Sequence, residues 1–126
     1  MAKSFLTKGY YVGGVYMIRN VKNKKMLIGT TFDFEEHRRQ VYLLLKNGKH
    51  SNRFLQEDFN KGGRFQYRVL YAEQHQRPRY SSRTWMPMIE KAREFIEQYD
   101  AINCGYNFPI GYARRNYKGP NKSMVE

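Results

Sequence analysis

Arg77, Arg79 and Arg83 flank Tyr80 in a polar stretch, and cations so closely spaced suit one chemistry, charge-assisted contact with phosphate oxygens. Three further basic groups fit the same role. Lys22, Lys24 and Lys25 crowd a turn-forming segment, Arg38 and Arg39 are adjacent, and Arg114, Arg115 and Lys118 lie near the end. Solvated surface charge is the plain alternative for each group. Metal chemistry has weaker support. Cys104 is a lone cysteine, and His37, His50 and His75 are scattered, which gives no structural-zinc spacing.

The charge balance strengthens the phosphate reading. Twenty-three Lys and Arg stand against eleven Asp and Glu, a formal net charge of +12. The acids gather at 33–36, 57–58 and 90–100, so residues 1 to 32 carry basic side chains and no acidic one. Such a surface implies a polyanionic partner, DNA or RNA, because each neutralised phosphate releases condensed counterions. An acidic protein surface or a ribonucleoprotein is the alternative. At 126 residues, 40% apolar and 16% aromatic, the chain suits one folded domain. No apolar run reaches the roughly 18 residues of a membrane span, and the first residues have no signal-peptide core. A cytoplasmic protein with no membrane partner is expected, and the lone cysteine suits a reducing compartment.

Local patterns set the elements. Tyr10 to Arg19 alternates around Gly13-Gly14, with Val15 and Met17 against Tyr16 and Ile18, which predicts a strand. A polar turn leads to a second short strand at Met26 to Ile28, closed by Gly29. Thr30 or Thr31 is positioned to cap a helix over 33–45 with an apolar face of Phe34, Val41, Leu44 and Leu45. A shorter helix is predicted over 52–60, then a strand from Phe65 to Tyr71. The stretch from Glu73 to Thr84 reads as a loop. Pro87 opens a helix to Tyr99 with a stripe of Ile89, Ala92, Phe95, Ile96 and Tyr99. From Cys104 on, the Gly- and Asn-rich chain is expected to wrap the surface. The result is an α+β domain, a three-stranded antiparallel sheet flanked by about three helices.

Particular residues at particular places give this order a family likeness. Gly14-Val15-Tyr16 opens the hairpin and Leu27-Ile28-Gly29 closes it. Asp33-Phe34, the turn Asn47-Gly48-Lys49-His50, Leu55-Gln56, Asn60-Lys61-Gly62-Gly63 and Gly105-Tyr106-Asn107 follow. The series resembles the GIY-YIG endonuclease family, particularly its phage homing endonucleases, across about residues 13–107. It implies a basic extension at 1–12, a nuclease-like domain at 13–110 and a basic tail at 111–126.

That resemblance implies divalent-metal-dependent phosphodiester hydrolysis. The family uses two hairpin tyrosines near the water, a helix arginine on the phosphate, a metal-holding glutamate on the last helix and a supporting asparagine. Here Tyr16 and Asn107 match. Leu27 stands for the second tyrosine, His37 for the arginine, Val41 for a following histidine and Ala92 for the glutamate. Imidazole is largely neutral at pH 7 and has no guanidinium fork, and alanine offers a metal nothing. Glu90 and Glu94 sit two residues from Ala92, about 200° around the helix.

The expectation is a non-catalytic nucleic-acid-binding protein, phage-encoded, without a cofactor. An active endonuclease with a rearranged site is the alternative, using Tyr16, His37 and Asn107, with Glu90 or Glu94 holding Mg²⁺ or Mn²⁺. A phage protein that binds a host protein is a third reading. Tyr16, His37 and Asn107 also have plain roles open to them, as a strand tyrosine, a helix-surface histidine and a turn residue.

Overall fold

In a computed structural model, the structure describes residues 10–76 and 82–108. Strand β1 (Tyr10–Asn20) and β2 (Met26–Thr31) form a hairpin, followed by helices α1 (Phe34–Lys46) and α2 (Arg53–Asn60). Strand β3 (Phe65–Gln76) and helix α3 (Ser82–Tyr99) complete the order. The sheet runs β2-β1-β3, and both pairings are antiparallel.

A central strand covered on both faces must be apolar on both, and β1 is. Val15 and Met17 pack with Ile28, Ala92 and Ala101 beneath α3. Ile18, on the opposite face, packs with Val41, Leu45, Leu55 and Tyr106 against α1 and α2. The pleat that alternates these side chains therefore divides one core between two helical layers.

Gly13 and Gly14 let the chain pass where a side chain has no room. A Cβ on Gly14, whose φ is 147°, would fall 2.1 Å from the Tyr71 carbonyl oxygen. Just beyond, Val15 pairs with Tyr71 and Tyr16 with Val69, so Leu70 is an extra residue that bulges β3.

Four expectations change. Asp33, not Thr30 or Thr31, caps α1: its carboxylate accepts the Glu36 N–H at 3.2 Å, while Thr31 Oγ1 accepts the Asp33 N–H at 3.2 Å. Leu44 is 40% exposed, because only Val41 and Leu45 of that helix turn into the core. Of the stretch read as a loop, residues 73–76 are strand and 82–84 are helix, and 77–81 lie outside the described residues. Residues 72–76 extend β3 by pairing with Tyr10–Gly14, and an edge strand with polar faces has no hydrophobic alternation to betray it. Helix α3 starts at Ser82, which places Pro87 inside it rather than at its start. Pro87 is the sixth residue of α3, just past the four N-terminal N–H groups that have no intrahelical partner, so the helix forgoes one backbone bond there.

Gly105 and Tyr106 also depart from the expected surface wrap, while residues 109–126 lie outside the described residues. Gly105 and Tyr106 are buried, and Tyr106 N–H donates to the Met26 carbonyl at 2.8 Å. Tyr106 plugs the layer under α1 and α2 instead of wrapping the surface. Its hydroxyl accepts from Asn20 Nδ2 at 3.1 Å and donates to Asp58 Oδ2. Asn52 Nδ2 donates to its carbonyl at 2.8 Å.

Candidate nuclease-like site

Between β2, α1 and the 106–108 segment lies a cavity of about 400 Å³. Tyr16, His37 and Asn107, drawn from three separate parts of the sequence, all line it, with Leu27, Gly29 and His50.

Tyr16 sits at the centre of an aromatic group. Its ring centroid is 4.3 Å from His37 and 5.6 Å from Tyr67, the latter pair nearly parallel at 15°. Gly29 faces Tyr16 across the hairpin, and a Cβ there would lie 2.4 Å from the tyrosine hydroxyl. Glycine leaves the Tyr16 ring room to lie against β2, and a side chain there would have to displace that ring.

His37 Nδ1 lies 2.9 Å from the Tyr67 hydroxyl. Burial, helped by the nearby His50, pushes the His37 pKa down to about 4, and burial pushes the Tyr67 hydroxyl well above its ordinary value. At neutral pH both groups are uncharged. Tyr67 keeps its proton and can donate it to Nδ1 of a ring whose hydrogen is on Nε2. This pair can hydrogen-bond a phosphate, but it brings no positive charge to one.

His50 is oriented from below. Its Nδ1 accepts the Asn52 N–H at 3.0 Å, and its own N–H donates to Gln56 Oε1 at 3.0 Å. Gln56 in turn donates to the Leu45 carbonyl at 3.0 Å, tying the Asn47–His50 turn to both helices. His50 and Tyr67 are the site residues that the sequence reading missed. The signals were present: the His50 turn lies next to Leu55-Gln56, and the alternation of β3 puts Tyr67 on the face of Tyr16 and Ile18.

Asn107 serves the scaffold. Its side-chain amide donates to the Ile28 carbonyl and accepts the Ile28 N–H, each at 2.8 Å. Both ends of the amide are occupied in completing the outer edge of β2.

The residues at the implied metal position do not suit a metal. Ala92 is 6% exposed and packed among Val15, Met17 and Ile28. Glu90 and Glu94 are exposed on α3 and are absent from the cavity lining, so neither reaches the site as the rearranged reading needs. Among the described residues, no three His, Cys, Asp or Glu side chains cluster as a metal site would need.

Of the basic residues, Lys22 and Lys24 are exposed on the hairpin turn and Lys25 is half-buried. Arg38 and Arg39 are exposed on α1, Arg39 paired with Glu36 at 2.7 Å. Arg83 belongs to the first turn of α3, not to a loop. Arg77, Arg79, Arg114, Arg115 and Lys118 lie outside the described residues. No described helix is long and apolar enough to cross a membrane.

No protein-family model matches the chain. The catalytic domain of the homing endonuclease I-TevI superposes with a TM-score of 0.63 at 30% identity, covering 77% of this chain and 98% of that domain. The chain belongs to the GIY-YIG endonuclease family. An alanine-for-glutamate variant of the same domain gives a TM-score of 0.65 at 29% identity, covering 80% of this chain and 97% of that one. Intron-associated endonuclease 1 of Enterobacteria phage T4 is 30% identical over 95 residues, which is 75% of this chain and 36% of that protein. This GIY-YIG chain thus spans about a third of that relative's length.

Proposed function

We propose that this protein is a phage-encoded nucleic-acid-binding member of the GIY-YIG family that does not perform metal-dependent cleavage. The packing of Ala92 into the core carries this reading. Its methyl group offers a metal no donor atom, and at 6% exposure beside Val15 and Met17 it contributes packing instead. Neutral His37 supports it from the other side of the site, where hydrolysis needs a cation to meet the charge developing on phosphate. The kinship with homing and intron-associated endonucleases and the charge of +12 favour DNA as the partner, with RNA sharing the same phosphate chemistry. Lys22, Lys24, Lys25, Arg38 and Arg39 supply phosphate contacts among the described residues. Arg77, Arg79, Arg83, Arg114, Arg115 and Lys118 extend them.

A mobility-shift series on a DNA duplex tests the binding half. Affinity is expected to fall by about a hundred-fold or more between 50 and 200 mM salt, as several phosphate contacts require. Lys22→Ala with Lys24→Ala should flatten that dependence. Salt-insensitive binding, or none to DNA or RNA, would sink the proposal.

One observation favours the endonuclease alternative: Tyr16, His37 and His50 converge on a single cavity. That reading requires cutting that depends on Tyr16.

A further inference from the structure

A second groove, of about 770 Å³, lies on the other side of Val41 between α1 and the start of β3. Its volume is within the range of small-molecule pockets, yet its rim is basic. Arg38 and Arg39 border it from α1 and Arg64 from the end preceding β3. Phe59 and Phe65 form its wall with ring centroids 6.2 Å apart, and Tyr42 stands on the lip, 55% exposed.

The surroundings add further positive charge. Val21 N–H donates to the Arg64 carbonyl at 2.8 Å, so the turn carrying Lys22 and Lys24 adjoins that end of the groove. Lys46 Nζ is 5.5 Å from the centre of the Tyr42 ring. Glu35 also borders the groove, and Glu36 pairs with Arg39, so the cations still outnumber the acids along it.

Phosphate-sized charges on a rim explain affinity for any nucleic acid. An exposed aromatic lip above an apolar cleft does more, because a paired base in a duplex has no face to offer it. Single strands offer such faces, and stacking on aromatic side chains beside a basic track is how they are held. We infer that the groove between α1 and β3 binds an unpaired nucleotide of a single strand, its base against Tyr42 and its flanking phosphates on Arg38 and Arg64. This inference rests on the nucleic-acid-binding reading and deepens it, making single strands the preferred form.

Fluorescence anisotropy on the full 126-residue chain tests it, with a labelled single-stranded DNA, the same sequence as RNA, and the matching DNA duplex, at one salt concentration. At least one single strand should bind about ten-fold tighter than the duplex, and the arm that does so identifies the sugar. Tyr42→Ala should lower single-strand affinity about ten-fold, the scale of one lost base stack, and change duplex affinity less than about two-fold. Tyr42→Phe should restore binding, since the ring is what stacks. Tyr42 is exposed, and unchanged melting of both variants will show that folding is intact. Equal affinity for all three probes, or indifference to Tyr42→Ala, overturns the groove assignment but leaves duplex binding standing. No binding to any probe overturns both.

Discussion

The side-chain amide of Asn107 hydrogen-bonds both the N–H and the carbonyl of Ile28, at 2.8 Å each, as a neighbouring strand would. With the Tyr106–Met26 backbone bond it completes the open edge of β2. An asparagine that could belong to a catalytic site is thus explained by sheet closure alone.

Asn107→Ala should destabilise the fold by about 2 kcal/mol, from two bonds to a partly buried backbone. Asn107→Asp should lose a similar amount, since a carboxylate accepts the Ile28 N–H but repels its carbonyl. Urea unfolding midpoints will measure both. A neutral result would mean that the 106–107 segment does not hold β2.

Tyr106 anchors the same segment from inside. Its hydroxyl lies between Asn20, 2% exposed, and Asp58. Tyr106→Phe leaves the Asn20 amide buried without that partner and should cost about 1–3 kcal/mol. Calorimetry should show a lower melting temperature with unchanged secondary structure. An unshifted melt would show that water replaces the hydroxyl.

His37 makes stability depend on pH. Its folded pKa, about 4, lies below the unfolded value of 6.5, so below pH 6.5 the unfolded chain takes up a proton that the folded chain refuses. The contribution is fully present above 6.5 and is lost as pH falls towards 4. His37→Gln should therefore lose less stability than the native chain between pH 7 and pH 5. An NMR titration placing His37 near 6.5 would contradict the buried, neutral pair with Tyr67.

The hairpin, α1 and α2 were legible because local periodicity and short turn motifs encode them, whereas Tyr16, His37 and Asn107 were singled out only through the family resemblance. The last half of β3 was not, since an edge strand in a polar sequence is defined by its partner across the ladder, Tyr10–Gly14. Nor was the start of α3, where Pro87 reads as a boundary but stands inside the helix. Tyr106 was misplaced for a related reason. A Gly- and Asn-rich segment looks like surface chain, and only the Asn20, Asn52 and Asp58 partners waiting for it make burial favourable. Within the site, the Asn47–His50 turn and the alternation of β3 are written in the sequence, but only the packing of α1 against the sheet brings Tyr67 onto His37 and Tyr16.

Incubation of the purified protein with supercoiled plasmid, in Mg²⁺, in Mn²⁺ and in EDTA, tests the central claim most directly. The account predicts plasmid that stays intact in all three and a mobility shift that disappears as salt rises. Nicking or linearisation that EDTA abolishes, and that Tyr16→Phe abolishes as well, would contradict it and make this chain an active endonuclease.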